Sequence, residues 1–113
     1  LIYHEELEII DYYNKNMNTD KKENPKTYFC ISPADRGRTL WIYALTKNPY
    51  DFVNATYGEY AFNLEEFMKT DNQYAVIFKM DYLGNFEEID KEIEKNNLKI
   101  LFRNEMGIIL EKN

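Results

Sequence analysis

Cys30 and Arg36 stand at the two ends of the run Cys30-Ile-Ser-Pro-Ala-Asp-Arg36. A thiol and a guanidinium at that spacing, on a loop between a strand and a helix, are the parts needed to attack a phosphate ester. Cys30 would be the thiolate nucleophile, Arg36 would clamp two phosphate oxygens, and the loop amides and helix N-terminus would hold the anion. Asp81, at the C-terminal end of the next strongly apolar run, would protonate the leaving group.

That spacing resembles the phosphate-binding loop of cysteine-dependent phosphatases, and the resemblance implies a small hydrolase. Three residues depart from it. Pro33 has no N–H to donate, no Gly stands between Cys30 and Arg36, and Gly37 follows Arg36 where that family usually has Ser or Thr. Cys30 also lies in the apolar run Tyr28-Phe29-Cys30-Ile31, where a lone thiol is ordinarily a small buried hydrophobe. The sequence favours a structural Cys30. No catalytic residue is assigned, and Cys30, Arg36 and Asp81 are kept as the enzymatic alternative.

The remaining candidates are thinner. His4 heads His4-Glu5-Glu6-Leu7-Glu8, but a zinc-binding helix needs His at both ends of that window, and the chain has one His. Neither a metal site nor a cofactor is expected. The carboxylates Glu65/Glu66, Glu87/Glu88 and Asp90/Glu94 stand beside Lys91 and Lys95 in the manner of a solvated helix face. Gly84 and Gly107 are isolated, so there is no glycine-rich phosphate cradle. Asp35-Arg36-Gly37-Arg38 is a compact mixed-charge loop that should close the first strand, where open α/β sheets bind ligands. Asp35, Arg36 and Arg38 are thus a candidate phosphate or carboxylate site, set against Asp35 as a helix cap with both Arg solvated. The rings of Tyr43, Tyr50, Phe52, Tyr57, Tyr60 and Phe62 suit either a carbohydrate or protein surface or a roof for the sheet. Asn54-Ala55-Thr56 fits a glycosylation sequon and is read as chance.

Hydropathy periodicity supplies the elements that must position these residues. Tyr3, Leu7, Ile10, Tyr13 and Met17 recur at helical steps over residues 3–17, with acids in the first turns. A polar connection over Asn18–Pro25 leads to a strand over Thr27–Ser32. Arg36–Thr46 reads as a helix with Leu40, Trp41, Ala44 and Leu45 inward, closed by Asn48-Pro49. Residues 50–62 are the least readable part, with a short strand and an aromatic loop as the expectation, and Asn63 is expected to cap a helix with Glu66 at its third position. Tyr74–Met80 is almost continuously apolar, as a strand covered on both faces should be. Asn85 caps a helix that buries Phe86, Ile89 and Ile93 and ends in a left-handed turn at Asn96-Asn97. Strands over Leu98–Arg103 and Met106–Glu111 close the chain, joined at Asn104-Glu105. Strands alternating with helices predict an α/β fold: a three-layer, mainly parallel small sheet with helices on both faces and a C-terminal antiparallel β-hairpin.

Composition bounds the partners. The chain has 113 residues, sized for one domain, with fourteen basic against twenty acidic residues and a net charge of −6. Duplex nucleic acid needs a concentrated basic face, and the Lys and Arg residues here are scattered, so nucleic acid is not an expected partner. One Cys excludes an internal disulfide. No apolar run approaches the roughly 20 residues that span a bilayer. The chain starts at Leu1 and enters a helix-like stretch at once, so it is expected to be excised from a larger protein.

The element order resembles the soluble extracytoplasmic α/β domain of bacterial multi-spanning membrane glycosyltransferase-like proteins. The resemblance is carried by the opening HEELEIIDYYNKN, the strand TYFCIS, the helix RTLWIYALTKNP and the closing run YAVIFKMDYLGNFEEIDKEIEKNNLKILFRNEMGIILEK. It implies a non-catalytic accessory domain on the extracytoplasmic face of the cell membrane, partnered by the membrane-spanning part of the same polypeptide. Such a domain helps shape a glycan or lipid-linked substrate site whose catalytic carboxylate lies elsewhere. A free-standing cytoplasmic binding or adaptor domain is the alternative.

Overall fold

Four β-rich runs pair into one sheet. The computed structural model describes residues 3–17, 27–30, 41–42, 44–46, 64–82 and 84–113. Strands β1 (Thr27–Cys30), β2 (Tyr74–Phe78), β3 (Leu98–Asn104) and β4 (Gly107–Lys112) lie in the order β1-β2-β4-β3. The helices are α1 (His4–Asn16), α2 (Leu64–Lys69) and α3 (Ile89–Lys95), with 3-10 turns at Lys79–Asp81 and Phe86–Glu88. Residues 41–42 and 44–45 are also helical. The aromatic run from Tyr50 to Phe62, Tyr43 and the Asn63 cap fall outside the described residues.

The expectation of a mainly parallel sheet is not met among the described strands. Only β1–β2 is a parallel pair, and β2–β4 and β3–β4 are antiparallel. The physical reason lies in β4. Strand β3 runs the same way as β1 and β2, returned by α3, but the hairpin folds β4 back between β2 and β3. One reversed strand therefore replaces one would-be parallel pair by two antiparallel ones. The C-terminal antiparallel hairpin itself is present. Its turn is Glu105-Met106, one residue later than expected.

Period-two alternation divides the apolar residues between the two sheet faces. Tyr28, Cys30, Ala75, Ile77, Ile108 and Leu110 pack with α2 and α3 through Leu64, Phe67, Ile89 and Ile93. Phe29, Val76, Phe78 and Ile109 pack with Ile9, Ile10 and Tyr13 of α1 and with Ile42. Tyr13 meets Phe29 edge-on at 5.1 Å, and Tyr28 meets Phe67 at 6.2 Å. Helices thus cover both faces of the sheet.

Two helix faces are rotated from the sequence expectation. In α1 the buried residues are Glu6, Ile9, Ile10 and Tyr13, while Tyr3 and Leu7 are exposed. Glu6 tolerates full burial because its carboxylate turns back to accept the Tyr3 N–H at 3.0 Å. Near residue 41, Ile42 rather than Trp41 enters the core, one residue being about 100° of helix. The local punctuation agrees with expectation. Asn85 accepts the Glu87 N–H at 3.0 Å, and Asn97 sits at φ 53° after α3.

A β-bulge in β3 aims its side chains. Ile100 pairs with Leu110 and Phe102 with Ile109, so Leu101 is the extra residue. Leu101 and Phe102 in consequence both pack on the α1 side, where Phe102 stacks on Tyr12 at 4.9 Å. Asn104 reaches the same helix and donates to the Glu5 carbonyl at 2.7 Å. Arg103 points the other way and forms a two-pronged ion pair with Asp90 of α3. The Arg103 guanidinium holds the Asp90 carboxyl below its usual range. Because the folded value is the lower one, the pair stabilises the fold above the unfolded carboxylate value and is lost as pH falls through the folded one. Asp90 is largely exposed, so water screens the pair and its worth is at most about 1 kcal/mol. Asp90→Asn should melt slightly below wild type at pH 7, with the difference shrinking as pH falls below the ordinary carboxylate range. A gap in melting temperature that persists in acid would show that Asp90 acts other than through its charge.

Candidate functional site

The C-terminal ends of β1 and β2 are where the sequence places its chemistry. Parallel pairing sets Cys30 opposite Ile77, and the chain then turns through Lys79–Asp81. That turn brings Asp81 back to Cys30, as the enzymatic alternative requires. The contact, however, is between the thiol and the backbone: Cys30 Sγ donates to the Asp81 carbonyl oxygen at 3.5 Å. Cys30 is 0% exposed, within the packed face under α2 and α3, and Asp81 is 3% exposed. A sulfur held as a hydrogen-bond donor in an apolar core has the geometry of a packing residue. Asp35, Arg36 and Arg38 lie outside the described residues.

His4 is not brought to Cys30. It lies on α1, across the sheet from the Cys30 side chain, and pairs at the surface with Glu8 at 3.1 Å. Among the described residues, no three or more His, Cys, Asp or Glu side chains converge to hold a metal ion. The carboxylate pairs behave as a solvated face. Glu66 meets Lys69 at 3.6 Å, Glu87 meets Lys79 at 3.0 Å and Glu88 meets Lys91 at 3.8 Å, all at the surface.

Sequence reasoning passed over Tyr82, the residue that follows this turn. It forms one side of a pocket of about 300 Å³ that Leu64, Glu88, Lys91 and Glu92 also line. Its ring packs on the core and meets Phe86 edge-on at 6.1 Å. Burial pushes the Tyr82 hydroxyl above its ordinary value, and the nearby Glu92 carboxylate adds to this. A backbone hydrogen bond from Leu64 pulls the other way. The phenol therefore stays neutral at physiological pH and serves as a hydrogen-bonding group rather than a base. Its position directly after the turn at the end of β2 was the available signal.

Among the described residues, no helix is long and apolar enough to cross a membrane. Compared with protein-family profiles, with curated proteins and with solved structures, the chain finds no match.

Proposed function

We propose that this chain is a non-catalytic accessory domain that acts through a binding surface. The observation that carries the reading is the state of Cys30. The strongest nucleophile candidate in the sequence is wholly buried, and its thiol is engaged by the Asp81 carbonyl. Attack on a phosphate ester needs an exposed thiolate in an electropositive cradle, whereas among the described residues Cys30 meets an apolar wall.

The resemblance in element order extends the proposal. The domain belongs to a bacterial membrane protein, lies on the extracytoplasmic face, and helps shape a glycan or lipid-linked substrate site beside the membrane-spanning part of the same polypeptide. The extension rests on the element order read from the sequence, of which α1, β1 and the β3–β4 hairpin are among the described elements.

Two measurements test the reading. The reading frame upstream of Leu1 is expected to encode apolar spans of roughly 20 residues; a frame starting within a few codons of Leu1 would remove the membrane placement. The isolated chain is expected to leave an aryl phosphate untouched. Turnover that disappears in Cys30→Ser would overturn the non-catalytic reading and restore Cys30 and Arg36 as an active site.

A further inference from the structure

Helix α1 carries a stripe that the core does not use. Leu7 is 41% exposed although Ile9 and Ile10 beside it are buried. The same edge of the helix carries Glu8 and Asp11, and Leu45 stands across from them, bounding an open groove of about 390 Å³. Asn14 ties the two walls together, its side-chain NH₂ donating to the Leu45 carbonyl at 2.8 Å. Ile42 anchors the second wall against Ile9, Ile10 and Tyr13. The groove is thus built by the fold itself, so a ligand need not order it on binding.

Its chemistry is an apolar floor with an acidic rim. Among the described residues, Glu8 and Asp11 meet His4 and Lys15 of their own helix, at 3.1 and 2.9 Å, in exposed pairs of little strength. The chain around them carries a net charge of −6. An anionic surface would be repelled here, and a cationic one attracted. We infer that the groove binds a cationic amphipathic helix of a partner protein. Leucine-like side chains of that helix pack against Leu7 and Leu45, and its Lys or Arg residues replace His4 and Lys15 at Glu8 and Asp11. The inference rests on the accessory-domain reading, for which it names the contact surface and the chemistry of the partner.

The test uses an amphipathic Leu/Lys peptide as probe, titrated calorimetrically into the whole chain. Trp41 gives a second signal, being the sole tryptophan, 58% exposed and adjacent to Ile42. Saturable one-to-one binding is expected, with a change in Trp41 emission. Leu7→Gln should weaken binding at least about tenfold, the effect of removing one apolar contact of leucine size. The double variant Glu8→Lys/Asp11→Lys should do the same. Glu65→Lys/Glu66→Lys on α2 changes the net charge equally on the other sheet face, and should leave the affinity within about twofold at 0.15 M salt. All these side chains are at the surface, and circular dichroism with thermal melting checks that each variant folds.

Absence of binding overturns the groove, as does wild-type affinity in both groove variants. Equal losses in the α2 control, or equal binding of a Leu/Glu peptide of the same pattern, would reduce the effect to net charge or stickiness and overturn it too. None of these results produces turnover, so the accessory-domain reading falls only by the Cys30-dependent activity described above.

Discussion

Replacing Gly107 with alanine should destabilise the protein by about 3 kcal/mol and lower its melting temperature by on the order of 10 °C. Gly107 opens β4, opposite Phe78 on one side and Asn104 on the other. A methyl group there would lie 2.5 Å from the Ile77 carbonyl oxygen and closer still to Ile9 Cδ1. Neither neighbour can yield cheaply. The carbonyl belongs to the β2 backbone, and Ile9 is fully buried between α1 and the sheet. The substitution must therefore push α1 outward or spread the β2–β4 ladder, and either movement opens the core around Ile109. Urea and thermal unfolding measure the loss. A melting temperature within about 2 °C of wild type would mean that α1 does not approach the sheet as closely as described.

Tyr13→Ala should cost still more, about 3–5 kcal/mol, against a typical domain stability of roughly 5–15 kcal/mol. The ring is 0% exposed and joins α1 to β1 through its edge-on contact with Phe29. Its removal leaves a cavity between helix and sheet that the surrounding β-branched residues cannot collapse to fill. The adjacent Tyr12 gives the internal comparison. It is only partly buried and stacks on Phe102 at the side of the helix, so Tyr12→Ala should cost about 1 kcal/mol. Paired chemical denaturation of the two variants reads out which face of α1 is inward. If Tyr12→Ala cost as much as Tyr13→Ala, the packing assigned to this helix would be wrong.

That comparison touches on what was legible in the chain before folding. The elements were legible wherever one local signal dominated. The central strand read over Tyr74–Met80 was visible, and forms over Tyr74–Phe78, because four consecutive apolar side chains leave no polar position to mislead. Asn85 and Asn97 marked helix ends because capping and left-handed turns select asparagine for backbone reasons that act within a few residues. The phase of α1 was not legible. Leu7, Ile9 and Ile10 are all apolar, so several inward stripes fit the same letters, and burial of Glu6 depended on its bond to the Tyr3 N–H. Strand order was illegible for a different reason. Alternation of strands and helices reports direction, and β1, β2 and β3 do run together, but insertion of β4 between two of them is a long-range event with no local mark.

The candidate site divides in the same way. Cys30 and Asp81 were both assigned to strand ends, and parallel pairing of β1 with β2 was enough to make them neighbours. What the spacing left undetermined was the direction each group faces. A five-residue gap between Cys30 and Arg36 describes chain length, whereas reactivity depends on whether the sulfur meets solvent or core. Here strand alternation turned Cys30 toward Phe67 and Ile89, and the same alternation placed Phe29 against Tyr13.

The place of β4 also bears on how the protein comes into being. A ribosome delivers the chain from its N-terminal end, so α1, β1, β2, α3 and β3 all emerge before the strand that joins them. Until Gly107–Lys112 appears, β2 and β3 have no shared ladder, and Ile9 and Ile10 lack the Ile109 side chain against which they pack. Translation at about 5–20 residues per second makes that interval on the order of a second, long compared with helix or hairpin formation. The newborn chain therefore waits with a half-built sheet and an incompletely covered apolar helix face, and the six-residue strand β4 is the keystone that closes both.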